Sequence, residues 1–244
     1  MKREILGIIP ARGGSKSVPR KNIKLLHGKP LIAWTIEEAK KSKYLTRIIV
    51  STDDKEIAGV SKKYDAEVPF LRPKEISGDL AKDIEFLTNA LDFLEKKENY
   101  KPDIVVLLRV TSPLKTVYNI DEGIKVLINN READAVRPIV EASKHPYKMW
   151  KITDNKKWIE PFFPKSFTSM DEPYNGPRQI LPDAYSHTGA MDIMKLDTIR
   201  KLKSTSGNKL GYFFMKPEES VNIDNPIDFK IAEILMAERE KRNT

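Results

Sequence analysis

The chain of 244 residues contains no cysteine, which excludes a disulfide framework, a thiolate metal site and a thiol nucleophile. Any metal ion must therefore be held by oxygen or imidazole ligands, and magnesium is the natural candidate. The chain also lacks any apolar run that approaches the length of a membrane span. Its first four residues lead into a predicted strand rather than a signal-peptide core, so we expect a cytoplasmic protein with no membrane partner.

Glycine is scarce, with 11 residues in the whole chain, yet two of them are adjacent in one basic loop. Residues 9–22 follow an apolar segment and read Ile-Pro-Ala-Arg-Gly-Gly-Ser-Lys-Ser-Val-Pro-Arg-Lys-Asn. Gly13 and Gly14 allow backbone N–H groups to approach an anion. The cations of the loop are Arg12, Lys16, Arg20 and Lys21. This composition predicts a phosphate-binding loop; the alternative is an ordinary glycine turn with solvated cations.

The loop differs from the two best-known phosphate-binding motifs. The dinucleotide fingerprint needs glycines at its first, third and sixth places, whereas the two glycines here are adjacent. A P-loop needs a glycine directly before its lysine, where this chain has Ser15 before Lys16. Hydride transfer and P-loop NTPase chemistry therefore lose their main support.

The net charge of +8 comes from 43 Lys and Arg against 35 Asp and Glu, and its distribution indicates the kind of partner. Outside the first loop, lysines are interleaved with acids, as in residues 37–41 and 94–98, which is typical of solvated helix faces. Residues 12–24 form a nearly acid-free basic run. No aromatic-basic alternation, zinc finger or RNP-type signature is present, so we expect a charged small substrate and no nucleic-acid partner.

Alternating strand and helix patterns predict a three-layer, Rossmann-like α/β fold with a mainly parallel sheet. The predicted strands lie near residues 4–10, 47–51, 67–71, 104–108, 191–194 and 210–215. The predicted helices lie near residues 31–42, from 54 to 64, and near 82–97, 120–130 and 226–239. In such sheets ligands bind at the carboxyl ends of the strands.

The alternation ends after about residue 140, where prolines and aromatic residues become frequent. Long irregular segments in compact domains usually serve as lids, binding loops or interaction arms. We therefore expect a single domain over residues 1–244, with residues 141–190 as an inserted segment. The aromatic side chains of this segment are interpreted as interface or core rather than as substrate stackers.

The basic loop and the motifs that follow it resemble the acylneuraminate cytidylyltransferases, the CMP-sialic acid synthetase family. The loop is the specific element, and the other motifs occur in the family's order over essentially the whole chain. They are Ser-Thr-Asp-Asp at 51–54, Phe-Leu-Arg-Pro at 70–73, Thr-Ser-Pro-Leu at 111–114, Pro-Arg-Gln at 177–179, Gly-Ala at 189–190 and Ser-Val-Asn-Ile-Asp at 220–224.

The resemblance implies a nucleotidyltransferase of the nucleotide-diphospho-sugar transferase type. Such an enzyme moves CMP from CTP to the anomeric hydroxyl of a nonulosonic, sialic-acid-like sugar acid and releases pyrophosphate. The resemblance also implies Mg²⁺ and a homodimer that forms through an arm like residues 145–185. Two alternatives remain: a nucleotidyltransferase for another sugar acid or a sugar 1-phosphate with a different NTP, and a nucleotide-binding homologue with weakened catalysis.

By the same resemblance, Arg12, Lys16 and Lys21 are the catalytic candidates, because cations must neutralise the triphosphate during transfer. The predicted nucleotide-binding residues are Ala11, Arg12, Gly13, Gly14, Ser15, Lys16, Lys21, Asn22, Arg72, Thr111 and Ser112.

The predicted acceptor site differs from the family pattern. Arg109 replaces a common glutamine, Thr188 an asparagine and Asp192 a tyrosine, which suggests a modified sugar acid. The predicted acceptor-binding residues are Arg109, Lys148, Arg178, Gln179, Thr188 and Gly189; a solvated surface role for Lys148 is the alternative.

The predicted metal ligand is Asp224, with Asn222 where the family has a second aspartate. An amide oxygen can coordinate magnesium without contributing charge, so weaker or water-bridged binding is expected. Asp228 is interpreted as part of a helix start with Asn225 as the N-cap, rather than as a replacement ligand. Asp54 is likewise expected to cap a helix, and Asp53 is a reserve metal or ribose contact.

Overall fold

The computed structural model of the chain describes residues 3–243 and contains eleven strands and seven α-helices in that range. The strands are β1 (Ile5–Pro10), β2 (Leu25–Leu26), β3 (Lys29–Pro30), β4 (Arg47–Ser51), β5 (Ile104–Leu108), β6 (Ala135–Glu141), β7 (Trp150–Ile152), β8 (Ile159–Pro161), β9 (Tyr185–His187), β10 (Met191–Lys195) and β11 (Leu210–Phe214). The α-helices are α1 (Leu31–Lys40), α2 (Lys55–Lys63), α3 (Asp83–Glu98), α4 (Val117–Asn129), α5 (Lys165–Thr168), α6 (Leu196–Arg200) and α7 (Pro226–Asn243).

The chain divides into two compact units, the first formed by residues 3–138 with 188–243 and the second by residues 139–187. The first unit contains a sheet with the strand order β11-β6-β10-β5-β1-β4. Strand β1 pairs in parallel with both β4 and β5, whereas β10 is antiparallel to β5 and β6. The mainly parallel, Rossmann-like sheet predicted from the sequence is therefore confirmed.

Hydrophobic cores cover both faces of this sheet. Successive residues of a strand point to opposite faces, and β1 divides its side chains accordingly. Ile5 and Ile9 belong to one buried cluster, whereas Leu6 and Ile8 belong to the other. Because both faces are covered, β1 and β5 are nearly continuous runs of apolar residues, as is typical of parallel strands.

Among the differences between the predicted and the observed strands, two concern residues 67–71 and β6. The strand predicted at residues 67–71 is wrong: Glu67 and Leu71 make only isolated parallel bridges. Pro69 lies between them and has no N–H to donate to a ladder, which explains the interruption. Strand β6 was not predicted, although its residues lie inside the sheet.

The helix starts predicted at acidic and amide side chains are confirmed. The Asp54 carboxylate accepts hydrogen bonds from the backbone N–H groups of Glu56 and Ile57 at the start of α2. At the start of α7, the Asn225 side chain accepts from the N–H of Asp228, while the Asp228 carboxylate accepts from the N–H of Asn225. Asp228 is thus occupied as a helix cap.

The second unit contains a β7–β8 hairpin and a pairing of β9 with the end of β6. Its aromatic side chains form a row in which the ring centroids of Phe163 and Phe167 lie 5.0 Å apart and those of Phe162 and Phe163 lie 5.4 Å apart. Several of its large apolar side chains are exposed, with Trp158 at 70% and Phe162 at 55% of their accessible surface. Among all the described residues, no helix is both long and apolar enough to cross a membrane.

Candidate active site

The basic loop leaves the carboxyl end of β1 and is fixed by contacts to the neighbouring strand end. The buried Ala11 donates its N–H to the carbonyl of Ser51, which extends the pairing of β1 with β4. Gly13 donates its N–H to the Asp53 carboxylate at 2.9 Å. The Asn22 amide donates to the carbonyl of Arg12 at 2.8 Å and closes the loop from its far end. The loop conformation is therefore set before any ligand binds.

The two glycines of the loop have different surroundings. A Cβ atom on Gly13 would lie 2.7 Å from the Asp54 carboxylate, so only glycine fits there without a shift. Gly14 faces open space, with no heavy atom within 4 Å of a built Cβ. Ser15 folds back to donate its N–H to the carbonyl of Gly13 at 3.1 Å. Gly13 thus allows Asp54 to lie close to the loop, and the backbone of Gly14 remains accessible.

Two of the predicted catalytic cations converge on one carboxylate. Arg12 lies 2.7 Å and Lys16 lies 2.5 Å from oxygens of Asp79. Hydrogen bonds from Lys16 and from Arg12 hold the pKa of Asp79 below its usual range. Because a carboxylate and a phosphate oxygen present the same kind of acceptor, Asp79 marks a position where these two side chains can hold an anion.

The third predicted catalytic cation, Lys21, lies between the loop and the segment before α7. Its ammonium donates to the carbonyl of Ile223 at 2.8 Å. Partial burial lowers the pKa of Lys21, and the Arg12 charge acts in the same direction, while Asp224 opposes this shift. Lys21 therefore joins the cationic loop to the predicted metal ligand.

Arg72 is buried beneath this region and is held by the end of β4. Its guanidinium donates to the hydroxyl and to the carbonyl of Ser51, at 3.1 and 2.6 Å, and lies 4.4 Å from the ring centroid of Phe86. Burial lowers the pKa of Arg72 to about 10, while the nearby charges of Asp53 and Asp83 favour its ionised form. Arg72 thus remains a cation at neutral pH, directed by fixed partners.

A cavity of about 290 Å³ opens between these elements at the carboxyl ends of β1 and β5. The predicted site residues that line it are Arg12, Ser15, Lys21, Asn22, Arg72, Arg109 and Thr111. The structure therefore brings together predicted residues from three separate parts of the sequence. Three acidic or aromatic residues that the sequence did not indicate, Asp79, Asp83 and Phe86, line the same cavity.

Arg109 balances two carboxylates at one side of the cavity. Its guanidinium lies 2.6 Å from Asp192, which has no exposed side-chain surface, and 2.5 Å from Asp83. Arg137 approaches Asp192 from another direction at 2.6 Å. Burial alone would lower the pKa of Arg109, but the two carboxylates outweigh it and raise that pKa. The cation and the anion that depart from the family pattern are thus paired with each other.

The predicted metal ligands lie beside the loop that follows β5. The backbone N–H of Ile223 donates to the carbonyl of Thr111 at 2.8 Å, and the buried Ser112 hydroxyl lies 3.4 Å from the Asn222 amide oxygen. The Asn222 amide nitrogen donates to the Asp224 carboxylate at 2.7 Å. Among residues 3–243 no cluster of three or more His, Asp or Glu has the arrangement of a metal site.

Two predicted acceptor residues border this segment. Gly189 has a φ of +70°, a conformation that favours glycine, and a Cβ there would lie 3.8 Å from the Asn222 side chain. Thr188 is buried, and its hydroxyl accepts from the N–H of Ala190 at 3.3 Å. Thr188 therefore shapes the turn that carries Gly189.

The other predicted acceptor residues, Lys148, Arg178 and Gln179, belong to the second unit. The Lys148 ammonium donates to the carbonyl of Gly176 at 2.6 Å. The Arg178 guanidinium lies 2.7 Å from Glu141 and also donates to the carbonyl of Ala142. Gln179 is exposed. All three are accessible side chains on a unit that also holds a 210 Å³ cavity lined in part by Arg178.

The comparisons with known proteins show the family and the fold. A family profile described as "Cytidylyltransferase" matches residues 6–161. The CMP-N,N'-diacetyllegionaminic acid synthase of Legionella pneumophila is 33% identical over 95% of this chain and 96% of the relative. The N-acylneuraminate cytidylyltransferase of Escherichia coli is 28% identical over 99% of this chain, which spans 54% of that relative. A CMP:2-keto-3-deoxy-manno-octonic acid synthetase, solved as a complex with CTP, has a TM-score of 0.69 at 17% identity, over 97% of this chain and 99% of that one.

Proposed function

The chain belongs to the cytidylyltransferase family, and we propose that it transfers CMP from CTP to the anomeric hydroxyl of a nonulosonic sugar acid. Relatives that match over nearly the full chain carry names of CMP-nonulosonic acid synthases, which supports this class of acceptor. The observation that carries the proposal is the convergence of Arg12 and Lys16 on one carboxylate at the mouth of a cavity that Lys21 also lines.

The reaction requires control of phosphate charge. The anomeric oxygen attacks the α-phosphorus of CTP. The bond between the α-phosphorus and the oxygen that bridges it to the β-phosphate breaks, and pyrophosphate leaves with the electron pair of that bond. The hydroxyl proton passes to solvent. Positively charged groups fixed at the departing pyrophosphate stabilise the transition state more than the ground state. Arg12 and Lys16 supply that charge, and the fixed backbone of the loop holds them in position.

A magnesium ion fits the chemistry of the Asn222–Asp224 segment. Asp224 is an exposed carboxylate beside Lys21, and Asn222 adds an amide oxygen to the same segment. Magnesium in nucleotide sites is commonly bound by one or two protein oxygens together with phosphate oxygens and water. When bound, the ion neutralises phosphate charge and polarises the phosphorus centre. Asp224 and Asn222 are the residues that would hold the ion, and with a single protein carboxylate most of its ligands would come from the nucleotide and from water.

The acceptor carries a carboxylate, which needs a cation. Lys148 and Arg178 remain the proposed partners of that carboxylate, since both are exposed cations of the second unit and Arg178 lines its cavity. Arg109 has its charge balanced by Asp192 and Asp83, which supports a role in shaping the acceptor side of the cavity.

The experiment that tests the proposed function is a substrate panel scored by pyrophosphate release. Purified protein is incubated with magnesium, each of the four common NTPs, and acceptors that include nonulosonic acids, a shorter keto acid and sugar 1-phosphates. We expect release with CTP and a nonulosonic acid only. Release with a sugar 1-phosphate or with another NTP, or CTP binding without any release, would contradict the proposal.

Replacement of Arg12 gives the residue-level test of the same proposal. If Arg12 holds phosphate charge that develops on transfer, Arg12→Ala should raise the barrier by about 2 to 4 kcal/mol, a rate loss of about 30- to 1000-fold. The matched control is Arg131→Ala, because Arg131 is an exposed arginine after α4. Normal turnover by the Arg12 variant would refute its assignment.

A further inference from the structure

Lys115 is a fully buried lysine that the reaction described above does not use. Its side chain has no exposed surface, and it lies two residues before α4, at the back of the loop that follows β5. Long cationic side chains are almost never fully buried unless each proton has a partner. The contacts of Lys115 therefore indicate what the residue does.

The three partners of the Lys115 ammonium account for its three donors. They are the carbonyl of Arg109 at 2.6 Å, the carbonyl of Ser112 at 2.8 Å and the hydroxyl of Thr35, on α1, at 2.9 Å. The two carbonyls flank Thr111, a residue that lines the nucleotide cavity. One ammonium thus ties both ends of the cavity-lining turn to the helix behind it.

The same turn leads directly to the proposed phosphate and metal groups. The carbonyl of Thr111 accepts from the N–H of Ile223, and the carbonyl of Ile223 accepts from the Lys21 ammonium. The Ser112 hydroxyl meets Asn222. A shift of residues 109–112 would therefore displace Asn222 and Ile223, and with them the carbonyl that holds the Lys21 ammonium.

We propose that Lys115 is a positioning residue that holds residues 109–112 in the conformation that binds CTP. This inference rests on the proposed function, because it concerns the same nucleotide site. The ammonium loses its hydration when it is buried, and its direct partners are only two carbonyls and a hydroxyl. For the stability of the fold alone, an apolar side chain of similar volume often does as well as a buried charge. What the Lys115 ammonium adds is a fixed direction for the carbonyls of Arg109 and Ser112, which an apolar side chain would leave unpaired.

The experiment measures CTP affinity by calorimetry, with magnesium present and without acceptor, so that no turnover is needed. Lys115→Met keeps the length and bulk of the side chain and removes the donors. We expect it to weaken CTP binding by about tenfold or more, because two carbonyls lose their donor and the turn relaxes. The control is Lys63→Met, a change at an exposed lysine in the last turn of α2.

The absence of cysteine allows a rescue that separates positioning from general stability. Lys115→Cys, alkylated with 2-bromoethylamine in denaturant and refolded, restores an amine at the same distance from the backbone. We expect the alkylated variant to recover most of the CTP affinity, and the unalkylated one to resemble Lys115→Met. Wild-type protein carried through the same treatment controls for refolding.

A milder variant covers the case in which Lys115→Met does not fold. Thr35→Val leaves the lysine and removes one of its three partners. Burial lowers the pKa of Lys115 to about 7. The charge of Glu38 raises this pKa and the charge of Arg109 lowers it further. Glu38 itself also pairs with Arg239 on α7. The ammonium has three protons and the amine has two. Relative to wild type, the Thr35 variant should therefore lose more CTP affinity below about pH 7 than above it.

The outcomes distinguish this inference from the proposed function. If wild-type protein does not bind CTP, the proposed function fails. If wild type binds CTP and a folded Lys115→Met variant binds it equally well, Lys115 does not position the site. If Thr35→Val loses the same amount of CTP affinity below pH 7 as above it, the role of the ammonium is likewise refuted.

Discussion

At the scale of single residues, the segment before α7 contains the two proposed metal ligands, Asn222 and Asp224. The Asn222 amide nitrogen, rather than its oxygen, faces Asp224 at 2.7 Å. The amide therefore stabilises the carboxylate but adds no negative charge for a cation. An aspartate at the same position would place two carboxylates in contact, an arrangement that a bound divalent ion stabilises.

Asn222→Asp is therefore expected to strengthen the dependence on magnesium. The added carboxylate should lower the magnesium concentration for half-maximal pyrophosphate release by about tenfold, since ligand charge is the main determinant of affinity for hard cations. A magnesium titration at saturating CTP measures this shift. The control is Asn222→Leu, which removes the polar group at similar volume and should raise the magnesium concentration for half-maximal release or leave it unchanged. If this concentration is unchanged in Asn222→Asp, residue 222 lies outside the coordination sphere.

The sequence identified the cations of this site better than their partners. Arg12, Lys21 and Arg72 lie in recognisable motifs and all line the cavity. Asp79 and Lys115 stand in no motif, and each has a partner that is distant in sequence: Asp79 pairs with Arg12 and Lys16, and Lys115 donates to Thr35, 80 positions away. Such pairs arise from tertiary proximity, which the local pattern of one sequence does not contain.

At the scale of elements, the segment between residue 77 and α3 carries Asp79, the carboxylate that faces the basic loop of residues 9–22. Gly78 has open space around it, and the side chain of Leu80 is 95% exposed. The ion pairs of Asp79 with Arg12 and Lys16 hold this segment against the loop. A triphosphate that binds these cations must displace the Asp79 carboxylate.

Asp79→Asn should therefore tighten CTP binding. Exposed ion pairs contribute little, so we expect an affinity gain of about two- to fivefold. The gain should shrink as salt is added, because the interaction is exposed to solvent. Calorimetry at two ionic strengths measures both effects, with Asp79→Glu as the charge-preserving control. Weaker CTP binding in the asparagine variant would show that Asp79 supports the nucleotide instead of competing with it.

Proline accounts for two of the differences between the predicted and the observed strands. Pro69 interrupts the ladder where alternating residues predicted a strand at 67–71. Pro138 lies within β6 and argues against a strand by the usual rule, yet its carbonyl still accepts a hydrogen bond from Thr188. Strands without internal proline, such as β4 and β5, were predicted with the bounds they have.

At the scale of the whole molecule, large apolar side chains are exposed on both units, and those of the second unit include a row of adjacent aromatic rings. Phe163 contacts Phe162 and Phe167 through ring centroids 5.4 and 5.0 Å apart, and the outer two rings are 55% and 64% exposed. Contiguous exposed apolar surface of this kind is typical of interaction sites. Aromatic residues are also enriched at protein–protein interfaces. These features support the expected homodimer, formed through the second unit.

Phe162→Glu should therefore give a monomer by sedimentation velocity at a protein concentration where the wild type is a dimer. A charge buried in an apolar interface without a partner destabilises association strongly. The matched control is Tyr212→Glu, because Tyr212 is an exposed aromatic residue of the first unit, at 59% compared with 55% for Phe162. A dimer that persists in the Phe162 variant, or that dissociates only in the Tyr212 variant, would assign the interface to another surface. A wild-type monomer would refute the homodimer itself.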